Sequence, residues 1–225
     1  QRFARNPVAY AAPALYVTMA SPLALDAKDT LDQLKAFWDA YGNLITPVLV
    51  VVVGAYLAWI GWNAYQRDQG AKAGSMYDEL DRAAKAGDAS RANAIFADMK
   101  DRYPRTAFTG QGGLLAAKIS VDKGQDKAAQ DDLAWVAGSA SESVYRTIAR
   151  LRLAGLLLDE KKYDEALKQL DGIDDGDFIA LAADRRGDIL AAQGKIADAR
   201  AAYRKAFDVM DAKVDYRRVI EAKLN

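Results

Sequence analysis

The sequence predicts an all-α protein in which one N-terminal transmembrane helix precedes a tetratricopeptide-like helical-repeat solenoid. Three observations support this fold class. Residues 40–66 contain no acidic or basic side chain. From residue 67 onward, apolar residues recur at helical spacing, and the alternating β-branched runs typical of strands are missing. Finally, a pattern of small and large apolar residues repeats at an offset of 33 residues, which is typical of tetratricopeptide units.

The composition restricts the possible functions. The 225 residues include 31 basic and 31 acidic side chains, so the chain has no net charge. A neutral chain lacks the basic field that holds a nucleic-acid backbone, and we expect no nucleic-acid partner. Histidine and cysteine are both absent, which excludes Ser-His-Asp and Cys-His catalytic sites, disulfides and zinc sites built from these residues. We expect no enzymatic activity, no cofactor and no bound metal.

One acidic segment, DGIDDGD at residues 171–177, resembles the start of a calcium-binding loop. A loop that begins at its first residue needs an oxygen ligand at Ile173 and an acidic residue at Ala182. Neither residue supplies one, so a polar turn between two repeats is favoured. The nearby charged residues, which include Asp184 and Asp188, are predicted to lie on a solvated helix face.

Residues 43–66 are predicted to form the transmembrane helix. Residues 44–62 are 19 uncharged residues in a row, and as a helix they would span about 28 Å, close to the roughly 30 Å of a bilayer core. Aromatic residues stand at both edges, as in an interfacial belt: Trp38, Tyr41, Trp59, Trp62 and Tyr65. The alternative interpretation is the buried core helix of a soluble domain.

Within this span, Thr46 is predicted to cap the helix N-terminus, and Pro47 to lie in the first turn. Gly54, Ala58 and Gly61 share one face and form a stripe of small residues. Such a stripe allows another helix to approach closely. It indicates packing against a membrane partner or a second copy, or simply the usual composition of membrane helices.

The N-terminal segment divides in two. Residues 1–28 are rich in alanine and proline and are predicted to be disordered, with Met19 a candidate for the native first residue. Residues 29–42 are predicted to form an amphipathic juxtamembrane helix, because Leu31, Leu34 and Trp38 recur at helical spacing. Basic residues near the two ends of the span balance, so charge alone does not set its orientation.

Residues 67–225 are predicted to form the tetratricopeptide-like repeat domain. Placing Ala166 over Ala199 aligns two copies at an offset of 33 residues, and this alignment pairs Ala154 with Gly187. The first helix of each unit, helix A, needs a small residue because the second, helix B, crosses it closely. A unit of this length cannot bury its apolar face alone, so several units must stack.

Two further copies lie upstream, one containing Ala129 and one centred on Ala92. The predicted repeat-packing positions are Ala92, Ala129, Ala154, Ala166, Gly187 and Ala199. A groove lined largely by A helices is expected on the concave side. The segment GQGG at residues 110–113 is predicted to ease the start of a helix, and residues 214–224 to form a C-terminal capping helix.

The order of these parts resembles that of the YfgM family. The resemblance runs from residue 29 to the last residue and rests on four segments: FWDAYGN at 37–43, WIGWNAYQ at 59–66, LRLAGLLLDEKKYDEALKQLD at 151–171 and ADRRGDILAAQGKIADARAAYRKA at 183–206. It implies a single-pass inner-membrane protein with a cytoplasmic N-terminus and a periplasmic repeat domain. It also implies an ancillary role at the SecYEG translocon, periplasmic chaperones as partners, and a link between the tail and envelope-stress signalling. The family provides no catalytic residues, and residues 1–25 have no counterpart in it.

We therefore expect a membrane-anchored protein-interaction module that is ancillary to the SecYEG translocon and links it to periplasmic chaperones during protein export. Its expected partners are the translocon, these chaperones and the lipid bilayer. The alternative is a membrane-tethered tetratricopeptide scaffold that forms homo-oligomers through Gly54, Ala58 and Gly61, or an envelope-stress regulator unrelated to the translocon.

Overall fold

A computed structural model describes residues 22–174, 176 and 178–224. Over these residues the chain forms nine α-helices and no β-strand, which confirms the predicted all-α fold. The helices are α1 (Pro22–Lys85), α2 (Ala89–Arg102), α3 (Ala107–Asp122), α4 (Asp126–Ser139), α5 (Ser143–Asp159), α6 (Tyr163–Gln169), α7 (Ile179–Ala192), α8 (Ile196–Val209) and α9 (Arg217–Leu224). The chain divides into two compact units, the first ending at Gly61 and the second beginning at Trp62.

Helix α1 continues without a break through the boundaries predicted at residues 42 and 66. It begins at Pro22, inside the segment expected to be disordered; residues 1–21, which include Met19, lie outside the described residues. The prediction that Thr46 caps a helix is wrong, because Thr46 lies in the interior of α1. Pro47 is likewise an interior residue and does not lie in a first turn.

The continuity of α1 around Pro47 has a physical reason. Proline removes one backbone donor from the helix, and in lipid the backbone groups must be satisfied within the helix itself. The preceding residue, Thr46, supplies another donor, because its Oγ1 donates a hydrogen bond of 2.7 Å to the carbonyl oxygen of Gly42. This bond strengthens the turn that precedes Pro47; the carbonyl that loses its backbone donor at Pro47 is that of Asn43, four residues earlier.

Among the described residues, α1 is the one helix that is long and apolar enough to cross a membrane. None of its most apolar stretch is buried inside the protein, and the side chains of Val50, Leu57 and Trp59 are more than half exposed. The core helix of a soluble domain would be mostly buried, so that alternative does not describe α1. Its exposed apolar surface is instead suited to lipid.

The second unit consists of consecutive pairs of helices A and B. The pairs are the C-terminal part of α1 with α2, α3 with α4, α5 with α6, and α7 with α8, followed by α9. Helix α5 contacts both α3 and α7, so neighbouring A helices pack side by side. This arrangement creates the continuous A-helix surface that the repeat period predicts.

All four A helices end in the same turn. The second residue after the helix has a positive φ, and its N–H and the next N–H bond back to the last turn of the helix as in a Schellman motif. In the last repeat, for example, Gly194 donates to Ala191 and Lys195 donates to Leu190, both at 2.9 Å. The four residues with positive φ are Gly87 (70°), Gly124 (70°), Lys161 (62°) and Gly194 (79°).

The apolar side chains of the second unit form two clusters. The larger cluster extends from the end of α1 to α7, with Phe96, Met99, Leu133 and Val136 among its buried members. The smaller cluster joins α7, α8 and α9 around Tyr203 and includes Ile220 of α9, which is fully buried. The C-terminal helix thus covers the last repeat, as expected of a capping helix.

Candidate functional site

The small-residue face of α1 is a candidate surface for helix packing. Gly54, Ala58 and Gly61 are all exposed on the helix. A Cβ atom added at Gly54 or Gly61 would meet no atom within 4 Å. The missing side chain of Gly54 helps to form a shallow apolar depression, which Val53 and Leu57 also line. The geometry leaves room for the backbone of a neighbouring helix.

The six predicted repeat-packing positions are all buried in the second unit: Ala92, Ala129, Ala154, Ala166, Gly187 and Ala199. In each repeat, the buried alanine of helix B lies five residues after the positive-φ residue of the turn. Gly187 of α7 lies against the ring of Tyr203 of α8, and a Cβ atom added to Gly187 would overlap this ring. The absence of a side chain therefore sets how closely α7 and α8 approach.

The segment GQGG performs the same packing role, which its sequence pattern did not predict. Gly110, Gly112 and Gly113 are buried within α3. A Cβ atom added to Gly113 would overlap the ring of Phe96 from α2 and the side chain of Val136 from α4. The signal was present as small residues at helical spacing, but the large residues that fill the space come from two other helices. Gly113 therefore lies where three helices meet.

A cleft of about 420 Å³ opens on the A-helix surface. Nine of its ten lining residues come from the A helices α3, α5 and α7, and Leu133 of α4 is the exception. The lining residues are Ala117, Lys118, Val121, Asp122, Leu133, Arg152, Gly155, Leu156, Asp159 and Arg185. The cleft is therefore the groove expected of a stack of such repeats, and its lining combines apolar and charged side chains.

The charges of this cleft are unevenly paired. Lys118 and Asp122 form an exposed ion pair at 2.8 Å. Arg152 donates from Nη1 to the carbonyl oxygen of Leu114 at 3.2 Å, which fixes its guanidinium beside α3. Arg185, whose Nη1 lies 3.7 Å from Oδ2 of Asp188, reaches toward Gly155, where the missing side chain leaves room for it: a Cβ atom there would lie 3.7 Å from its Cζ atom. Two guanidinium groups thus face the cleft with donors available for carboxylates or carbonyl groups.

Burial changes the acid–base properties of one carboxylate close to these helices. Asp132 of α4 is 7% exposed, and its Oδ2 atom has no hydrogen-bond partner in the described part of the chain. Loss of solvation raises the pKa of this carboxyl to about 6, and Lys100, whose Nζ lies 3.7 Å from Oδ1, only partly offsets the shift. The ammonium of Lys100 also lies 4.6 Å from the ring centre of Phe96.

The prediction of a solvated face at Asp184 and Asp188 is wrong, because α9 covers it. Lys223 of α9 forms ion pairs with both carboxylates. Tyr203 donates its hydroxyl to Asp188 at 2.9 Å, and Tyr216 donates to Asp184 at 2.8 Å. Burial alone would lower the pKa of the Lys223 ammonium. The hydrogen bonds to both carboxylates outweigh this effect and raise the pKa above its usual value. Burial and the bond to Asp188 raise the pKa of the Tyr203 phenol.

The acidic segment at residues 171–177 lies between α6 and α7, where a polar turn was expected. Asp171 accepts a hydrogen bond of 2.9 Å from Arg186 of α7, and Gly172 has a positive φ of 73°; residues 175 and 177 lie outside the described residues. Across the described part of the chain, no three acidic side chains are grouped so that they could hold a metal ion.

The sequence of the chain is similar to those of known proteins. The family model described as tetratricopeptide repeat-like domain matches residues 35–225. The chain is 29% identical to a Neisseria gonorrhoeae protein over 89% of its length and 97% of the relative, and 29% identical to an Escherichia coli protein over 78% and 84%. A Haemophilus influenzae relative is 26% identical over 81% and 89%.

All three relatives carry the name ancillary SecYEG translocon subunit. No solved structure matches the chain significantly. The family model covers most of the chain, and it includes both the apolar part of α1 and all of the repeats. The chain therefore belongs to the tetratricopeptide repeat-like domain family, and its resemblance to the YfgM family is confirmed.

Proposed function

We propose that the chain is an ancillary subunit of the SecYEG translocon, anchored in the inner membrane by α1. The observation that carries this proposal is the extent of the similarity to three relatives of that name. The shortest alignment, over 178 residues, is longer than the second unit, which begins at Trp62. The similarity therefore includes part of the membrane helix as well as the repeats.

In this proposal, the face with Gly54, Ala58 and Gly61 packs against a transmembrane helix of the translocon. Helices in lipid gain little from apolar burial, because lipid tails are as apolar as their side chains; close backbone contact at small residues drives their association instead. The open space beside Gly54 and Gly61 supports such an approach. The competing use of the same face is contact with a second copy of the chain.

The cleft of the A helices binds segments of partner proteins, among them periplasmic chaperones. Its apolar lining residues Val121 and Leu156 suit an apolar side chain, and Arg152 and Arg185 suit a carboxylate of the bound segment. This role requires binding and no chemical step. In this proposal, the second unit lies in the periplasm and the N-terminus lies in the cytoplasm.

Site-specific crosslinking tests the membrane contact. The chain has no cysteine, so A58C in the full-length protein provides one attachment point for a photoactivatable crosslinker. V52C, on the opposite face of the helix, is the matched control. We expect A58C, but not V52C, to crosslink to a SecYEG subunit identified by antibody in inner-membrane vesicles. Crosslinks to a second copy alone would instead support the homo-oligomeric scaffold.

Two further measurements test the orientation and the cleft. A membrane-impermeant maleimide should label S141C, in the loop between α4 and α5, in intact cells; labelling only after lysis would contradict the periplasmic assignment.

We expect R152E/R185E to weaken recovery of chaperones with the full chain by about tenfold or more. R200E/R204E, on the exposed face of α8, should leave that recovery unchanged.

A further inference from the structure

The second unit contains a pocket next to the point where α1 leaves its apolar stretch. One side of this pocket is formed by Trp62, Tyr65, Gln66 and Gln69 of α1, and the other by residues 101–106, which join α2 to α3; its volume is about 490 Å³. This pocket is separate from the cleft of the A helices. Nothing in the proposed translocon and partner contacts uses it.

The position of the pocket along α1 places it at the height of lipid headgroups. Trp62 is the last residue of the apolar stretch 44–62, and Arg67 is the first charged residue after it. From Trp62 to Gln69 a helix rises about 10 Å, and the headgroup layer on each side of a bilayer core is roughly 5–8 Å thick. Since residues 101–106 lie beside this part of α1, they lie in or just above that layer.

The pocket carries positive charge at this height. Arg102 and Arg105 are exposed, and neither forms an ion pair with a carboxylate in the described part of the chain. The neighbouring Lys72 is already paired with Asp68 at 2.6 Å. Asp101 is the one carboxylate among the lining residues. Two guanidinium groups beside an interfacial tryptophan and tyrosine match the charge and the shape of a phosphodiester at a membrane surface.

Internal hydrogen bonds hold the connection between α2 and α3 in place. Tyr103 donates its N–H to the carbonyl oxygen of Met99 at 2.9 Å. Its own carbonyl oxygen accepts a bond of 2.7 Å from the hydroxyl of Thr109, which is fully buried. Thr106 caps α3 by accepting from the N–H of Thr109. A loop fixed in this way loses little conformational entropy when a ligand binds beside it.

We propose that this pocket binds the phosphate group of an anionic phospholipid, with Arg102 and Arg105 as its ligands. The second unit is not attracted to such lipids by bulk charge, because basic and acidic residues balance over the chain. The preference therefore depends on these two side chains. This lipid binding requires that α1 spans the membrane, and it does not depend on contact between the chain and the translocon.

Native mass spectrometry of the full chain, purified in detergent with equal amounts of phosphatidylglycerol and phosphatidylcholine, tests the proposal. We expect phosphatidylglycerol to be retained preferentially, and R102Q/R105Q to lower this preference by about fivefold for each arginine. The matched control, R200Q/R204Q on α8, should retain it. Equal retention of both lipids by the unmodified chain, or an equal loss in the control, would overturn the proposal.

A second measurement uses the absence of cysteine in the chain. With P104C as a single thiol, reaction with a neutral, water-soluble maleimide should be severalfold slower in nanodiscs containing phosphatidylglycerol than in phosphatidylcholine alone. S141C, which lies outside the pocket, should react at the same rate in both. Equal rates for P104C in both lipids would contradict the proposal. Protection of P104C by added inorganic phosphate in phosphatidylcholine discs would also overturn it, since the ligand would then be the free anion.

Discussion

The ammonium Nζ of Lys223 lies 2.9 and 3.1 Å from the two carboxylate oxygens of Asp184, whose side chain is 5% exposed. The same ammonium donates to Asp188 at 2.8 Å. Both carboxylates belong to α7, and Lys223 belongs to the short C-terminal helix. One cation thus attaches the capping helix to the last repeat, beside the small cluster that contains Ile220.

We expect K223M to lower the free energy of unfolding by about 2–4 kcal/mol, because it leaves the buried charge of Asp184 without its cation. Urea titration of the full chain in detergent, followed by circular dichroism, measures this change. K205M, at an exposed position on α8, is the control and should be nearly neutral.

The combined variant D184N/K223M separates charge from packing. It removes both members of the pair and should recover part of the stability that K223M loses. If K223M were as stable as the unmodified chain, the network would have no role in holding α9.

The sequence predicted those features of the fold that repeat locally. The positive-φ residue that follows each A helix precedes a buried alanine by a fixed spacing, as with Gly194 and Ala199, so the helix pairs could be found from the period. The burial of Asp184 could not be found in this way. Its partner Lys223 lies 39 residues away, and the spacing of Asp184 and Asp188 is equally compatible with a solvated face.

The candidate site was predictable to a similar extent. The repeat period indicates that A helices line the groove, but it does not identify Arg152 and Arg185 as the residues that face it, because this depends on how neighbouring helices are rotated against each other. The continuity of α1 was missed for another reason. Thr46 and Pro47 are typical of a helix start in water, whereas in lipid the helix continues and the Thr46 hydroxyl bonds to Gly42.

Gly113 provides a sharp test of the three-helix contact. We expect G113A to lower the free energy of unfolding by about 1–3 kcal/mol, because the added methyl group must displace Phe96 and Val136 in a packed core. The matched control is G138A, near the end of α4, where an added Cβ atom meets nothing within 4 Å. There the alanine should be neutral or stabilise the helix by up to about 1 kcal/mol. Equal effects of the two substitutions in urea titrations would contradict this packing.

Lys161 occupies the turn position that glycine occupies in the other three repeats. Its φ of 62° lies in the left-handed region, which costs a residue with a Cβ atom roughly 1 kcal/mol. We expect K161G to stabilise the full chain by a few tenths to about 1 kcal/mol, with a matching rise in the urea midpoint. The reverse change at an equivalent turn, G124K, should destabilise by a similar amount. A loss of stability in K161G would show that the lysine side chain contributes more than its strained backbone costs.

Asp132 gives the protein a specific pH dependence. The pKa of this carboxyl is about 6 in the folded chain and about 4 in an unfolded chain, so the folded state binds the proton more tightly. Its contribution to stability is therefore fully present below about pH 4 and is lost as the pH rises to about 6. An asparagine has the shape of the protonated acid and does not titrate.

We therefore expect the unmodified chain to lose about 2 kcal/mol more than D132N between pH 4 and pH 7. The measurement is the free energy of unfolding at several pH values in this range. The exposed Asp68 of α1, paired with Lys72 at 2.6 Å, supplies the control D68N, which should keep the pH dependence of the unmodified chain. Parallel pH profiles for the unmodified chain and D132N would mean that the pKa of Asp132 is the same in the folded and the unfolded chain, and that Lys100 compensates fully for its burial.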